Sequence, residues 1–171
     1  LNCLVGPGDS AKTTILDAID LCLGARRNVA FSDTDFFNLD VTQSIQITLI
    51  LGQLPDSLKD LDNYGIYLQA FDANTGILQD EPAQRFDTVL CLRLMVGSDL
   101  EPNWSLVSQR AQALGHGRNI AWKDRLLVAP ARIGTYANSN LAWTRGSILN
   151  RLCEERPNLG AELANSAREA R

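Results

Sequence analysis

Residues 1–27 read LNCLVGPGDSAKTTILDAIDLCLGARR, and their centre, GPGDSAKTT at residues 6–14, fixes how the chain is read. The run LNCLV before it is short and apolar until the glycines break it, which predicts the end of a buried strand. After it, Ile15, Ala18, Ile19, Cys22 and Leu23 recur three and four apart, the apolar face of a helix. Gly24 stands where such a helix stops, with Arg26 and Arg27 near its negative dipole end.

Strand, glycine-containing loop, Lys-Thr and helix is the layout of a phosphate-binding P-loop. A tight loop turns successive backbone N–H groups inward, and the helix start adds its own unpaired N–H groups. The expected nucleotide-binding residues are Gly6, Pro7, Gly8, Asp9, Ser10, Ala11, Lys12, Thr13 and Thr14. Lys12 reaches the terminal phosphates of ATP, and the Thr13 hydroxyl is the expected ligand to Mg²⁺. The pattern G-x-x-x-x-G-K-[ST] has glycine before the lysine, whereas this chain has Ala11. A methyl group there could crowd the loop, although alanine also favours the helix about to begin. The plainer alternative is a strand-to-helix turn with Ser10 as N-cap.

At 171 residues, with 45% hydrophobic and 21% charged residues, the chain has the size and composition of one globular domain. No apolar run approaches the length of a membrane span, and a cytoplasmic location is expected. Leu1 is not Met and already lies in the expected first strand, which suggests a piece of a longer protein. Cys3, Cys22, Cys91 and Cys153 are scattered among apolar neighbours, without metal-ligand spacing, and read as buried free thiols. The net charge of −4 divides into −9 over residues 1–109 and +5 over residues 110–171. The acidic front half argues against a general nucleic-acid platform. The arginines behind it (Arg110, Arg118, Arg125, Arg132, Arg145, Arg151 and Arg156) read as a solvated face with ordinary ion pairs.

Beyond the first helix, Asp33 and Asp35 lie in a Ser/Thr/Asp-rich loop where hydrogen bonding to backbone is the commoner role. Residues 44–51 alternate Ile45, Ile47, Leu49 and Leu51 with mostly polar partners, the period of a half-buried strand. Residues 64–71 read as a second strand, followed by a hairpin turn around Asn74, Thr75 and Gly76. Residues 86–96 are the clearest strand, and residues 104–107 a further short one. Short turns between them predict an antiparallel meander, not alternating βαβ units. From Gln109 the pattern is irregular. His116, between two glycines, reads as a loop residue, residues 126–128 as a short apolar segment, and residues 143–152 and 157–171 as helices. Asp80-Glu81-Pro82 resembles the end of a Walker B strand, but only Ile77 and Leu78 precede it, so that reading is rejected.

Taken together, residues 1–27, FSDTDFF (31–37) and the span 92–149 resemble the N-terminal part of an ABC-type, SMC-like ATPase head, most like ATP-dependent endonucleases of the OLD family. The fold implied is α/β: a P-loop strand and helix, an antiparallel β meander, then C-terminal helices, with residues 1–171 as one ATP-binding lobe. The resemblance implies ATP sandwiched in a homodimer of heads, coupled to a C-terminal Toprim nuclease that cuts DNA. Ala11 departs from the family, as does the lack of a signature motif, Walker B strand, switch histidine and Toprim carboxylates. Two other classes compete with it. A small-molecule or nucleotide kinase carries a similar loop but needs a parallel sheet. A non-hydrolysing interaction module would follow if Ala11 disables the loop.

Overall fold

The computed structural model describes residues 3–24 and 29–131. The chain divides into two compact units, Leu1–Pro130 and Ala131–Arg171. The helices expected at 143–152 and 157–171, Cys153, and the Arg26-Arg27 pair lie outside the described residues.

Helix α1 (Lys12–Leu23) leads into a loop with two 3₁₀ turns, Asp33–Asp35 and Phe37–Leu39. Strand β1 (Ile45–Leu51) follows, then a 3₁₀ turn at Asp56–Leu58 and the single-turn helix α2 (Leu61–Tyr64). Strands β2 (Leu68–Asp72), β3 (Ile77–Gln79), β4 (Asp87–Val96) and β5 (Pro102–Val107) complete a five-stranded sheet. Two short helices close the described part, α3 (Gln109–Ala113) and α4 (Trp122–Val128).

Every pairing in the sheet is antiparallel, as the short turns predict. The order is not that of a meander, however. β4 is central: β1 pairs along one edge, from Ile45 opposite Val96 to Leu51 opposite Leu90. Leu90 also pairs with Leu68 of β2, and Cys91 with Val107 of β5, so β2 and β5 lie end to end along the other edge. β4 holds this place because it is long and buried on both faces near its start. Leu90, Leu92, Leu94 and Val96 are fully buried on one side, and Val89 and Cys91 are buried on the other. A strand apolar on both faces is driven to the middle of a sheet. Met95 and Ile50 are exposed, so towards its far end the second face is open.

The core lies between this sheet and α1, with Cys22, Leu23, Phe36, Leu54, Leu58, Tyr67, Leu68 and Leu106 packed around β4. β1 shows the expected alternation, Ile45, Ile47, Leu49 and Leu51 turning their half-buried side chains to that core. The hairpin at Asn74–Gly76 also forms as read. The Asp72 carboxylate accepts from Asn74 N–H (2.9 Å) and the Thr75 hydroxyl (2.8 Å), and Gly76 takes φ 71°, a region open to glycine.

Further expectations fail. Residues 3–5 form no strand and are exposed, Val5 at 89%, and pair with none of the sheet's strands. Cys3 is therefore an exposed thiol, unlike the buried Cys22 and Cys91. Residues 64–67 are not strand: the Asp60 carboxylate accepts from Asp62 N–H (3.0 Å) and caps a helical turn that ends on Tyr64. The irregular stretch after Gln109 contains α3, capped by the Ser108 hydroxyl, which accepts from Ala111 N–H at 3.0 Å. The apolar segment 126–128 is the end of α4.

Tyr64 shows why that turn matters. It is 2% exposed, and its hydroxyl donates to the Asp124 carboxylate across 60 residues of sequence. Burial first, then the hydrogen bond and charge of Asp124, push the phenol up to about 12. The neutral phenol is the form the fold favours, so this stabilisation is complete below the ordinary tyrosine value near 10. Unfolding free energy measured against pH is expected to fall as pH rises from about 10 towards 12, and to fall less steeply in Tyr64→Phe.

Candidate functional site

Residues 6–14 form a small exposed loop running directly into α1. Asp9 and Ala11 are both left-handed, at φ 56° and 57°, with Ser10 between them at negative φ and Lys12 already helical. Alternating left- and right-handed residues turn consecutive N–H groups to one side, the concave anion site called a nest. The concavity here is about 150 Å³ and is lined by residues 9–14.

Lys12 closes the loop. Its ammonium donates to the Gly6 carbonyl (3.0 Å), the Pro7 carbonyl and the Ser10 hydroxyl (2.8 Å). Ser10 in turn donates to the Pro7 carbonyl (2.9 Å), so it staples the loop and does not cap the helix. Gly6 is needed for this closure, since a Cβ there would lie 2.8 Å from the Ser10 hydroxyl. Gly8 faces open space. Thr13 and Thr14 are exposed on the first turn of α1.

Ala11 takes the helix N-cap position without a side-chain hydrogen bond, at φ 57° and ψ 17°. The reason for glycine at this place in the standard motif is thus backbone conformation rather than crowding. Alanine does not begin the helix here; it sits in a region that costs an L-residue about 1 kcal/mol. Ala11→Gly is expected to raise unfolding free energy by about 1 kcal/mol, read from the urea midpoint.

The loop is carried at the free end of α1. Ile15 and Leu16 are about half exposed, whereas Ile19, Leu21, Cys22 and Leu23 in the second half of the helix pack into the core. There the Cys22 thiol reaches the carbonyls of Ile47 (3.9 Å) and Leu92 (3.8 Å), joining the helix to β1 and β4. Trp104 Nε1 donates to the Leu21 carbonyl (3.2 Å), one of the carbonyls a helix end leaves open. The Arg125 guanidinium lies 4.0 Å over the Trp104 ring. It is 5% exposed, two of its nitrogens lack a hydrogen-bond partner, and burial holds its pKa down. Its nearness to Cys22 puts this cation by the negative end of α1, where a positive charge is favoured. The sequence offered arginines in this region but no signal that Arg125 in particular would serve α1.

The other candidate residues lie elsewhere. Asp35 accepts from the Ser32 N–H (2.9 Å) and hydroxyl (3.2 Å), a local capping arrangement. Asp80 lies at the bend after the three-residue strand β3 and accepts from Gln109 N–H (3.2 Å). Among the described residues, no cluster of three His, Cys, Asp or Glu side chains could hold a metal ion. No helix among them is long and apolar enough to cross a membrane.

Residues 6–14 thus form a lysine-closed turn at the head of a helix packed on a sheet. Residues 1–146 match the model of the AAA_21 family, described as "AAA domain, putative AbiEii toxin, Type IV TA system", and the chain belongs to that family. The membership implies a P-loop NTPase fold of the AAA/ABC-like ATPase kind. Searches of curated proteins and of solved structures found no match.

Proposed function

We propose that this chain binds ATP with Mg²⁺ through residues 6–14, as the nucleotide-holding lobe of an ATPase. The observation that carries this reading is the lysine-closed nest, with Asp9 and Ala11 left-handed and the Lys12 ammonium bonded to the Gly6 carbonyl and the Ser10 hydroxyl. The donor set suits a polyphosphate: backbone N–H groups, one ammonium, and the exposed hydroxyls of Thr13 and Thr14. Lys12 exchanges its loop carbonyls for phosphate oxygens, and the Thr13 hydroxyl is the ligand this chain contributes to Mg²⁺, whose charge offsets that of the phosphates.

In the fuller form of this proposal, the chain is part of an OLD-like, SMC-like head that acts on DNA in the cytoplasm. Two heads then share ATP, and the nuclease lies outside residues 1–171. The family's description favours a second reading, a toxin-type partner ATPase of a toxin–antitoxin pair. A kinase gains no support from a wholly antiparallel sheet. Titration of the chain with a fluorescent ATP analogue, with and without Mg²⁺, tests the common core of these readings. Saturable, Mg²⁺-strengthened binding that weakens in Thr13→Ala is expected. Absence of binding returns the chain to a non-hydrolysing interaction module.

A further inference from the structure

On another part of the same unit, a cavity of about 330 Å³ opens between the Asp56–Tyr64 segment and the start of α4. Its walls include Ser57, Asp60, Tyr64, Arg118, Lys123 and Asp124. The volume falls in the range of small-molecule sites and is about twice that of the nest.

The acceptors in this cavity are already engaged. Asp60 takes Asp62 N–H (3.0 Å) on one oxygen and the Asn63 amide on the other. Asp124, 5% exposed, takes the Tyr64 hydroxyl. The cations are not similarly matched. Arg118 gives one N–H to the Asn63 carbonyl and lies 5.2 Å over the Tyr64 ring, which fixes the plane of its guanidinium. Neither Arg118 nor Lys123 forms an ion pair among the described residues. The cavity therefore offers a held guanidinium and an exposed ammonium, with its two carboxylates turned to internal partners. A fixed guanidinium fork matches an oxyanion, and a nearby ammonium adds an unspecific charge.

We propose that this cavity is a second binding site, for a small phosphate-bearing molecule held by Arg118 and Lys123. Tyr64 and Asp124 brace it: their buried hydrogen bond ties α2 to α4, the two elements between which the cavity opens. The site is independent of the nest, which lies on the loop before α1 and shares none of its residues.

The test uses the 171-residue chain carrying Lys12→Ala, so that the nest does not compete, with inorganic pyrophosphate as probe and NMR as readout. Saturable shifts of the Arg118 Nε–H and of the Ala121, Lys123 and Asp124 amides are expected. Lys123→Ala, an exposed change that leaves the packing alone, should weaken the apparent affinity about tenfold. Arg118→Ala should do the same or more, and Arg118→Lys should recover part of the loss. Equal shifts from sodium chloride at matched ionic strength would overturn the site, as would unchanged binding in Lys123→Ala and Arg118→Ala. Loss of ATP binding at the nest leaves these outcomes untouched, so the two proposals fail separately.

Discussion

Lys12→Ala is expected to weaken ATP binding about a hundredfold or more, while Lys59→Ala leaves it unchanged. Lys12 is the one ammonium inside the loop, bonded to Gly6, Pro7 and Ser10 and poised over the nest. A charge-assisted hydrogen bond contributes about 1.5–3 kcal/mol, and two such bonds to phosphate account for a loss of this size. The loop also loses its internal clasp, so some of the effect comes from a nest no longer held in shape. Lys12→Arg should rescue little, because a planar fork does not fit between two carbonyls and a hydroxyl as a compact ammonium does. Lys59 is the control: its ammonium lies 3.5 Å from exposed Asp56, remote in sequence from the loop. Calorimetric titration reads all three variants, and equal losses in Lys12→Ala and Lys59→Ala would remove the nucleotide site from residues 6–14.

The second large effect is expected in the core. Leu92→Ala should destabilise the chain by about 3–4 kcal/mol, a large share of the 5–15 kcal/mol typical of a domain. Leu92 is fully buried at the middle of β4, opposite Leu49 on one side and Leu106 on the other, in the cluster that receives Cys22 and Leu23. Truncation there leaves a cavity walled by three strands and α1, which cannot all move inward to fill it. Met95→Ala on the same strand, at a position 43% exposed, should change stability by only about 0.5 kcal/mol. Urea unfolding of the two variants measures the contrast; a small effect at Leu92 would mean that α1 is not docked as described. Because the loop hangs from α1, and α1 is anchored through its second half, this core supports the candidate site as well as the fold.

The sequence alone determined the features that depend on neighbours in the chain. Alternation placed β1, the largely apolar stretch 86–96 announced β4, Asp72 to Gly76 carried their own turn chemistry, and Lys-Thr marked where α1 starts. Period and turn residues act over a few positions, so they survive without knowledge of the rest. The turn at residues 6–14 was announced by its glycines, although the positive φ of Asp9 and Ala11 was not. Tertiary structure decided the remainder. Strand order was hidden because β1 shows the same alternation, and β2 the same short apolar run, whichever neighbour each takes. Only the burial of β4 on both faces puts it between them. Tyr64 looked like a strand residue until its hydroxyl met Asp124 at a separation of 60 residues, and Arg125 looked like surface until Trp104 came under it. Such contacts leave no periodic trace, because each is made by two side chains that only the packed chain brings together.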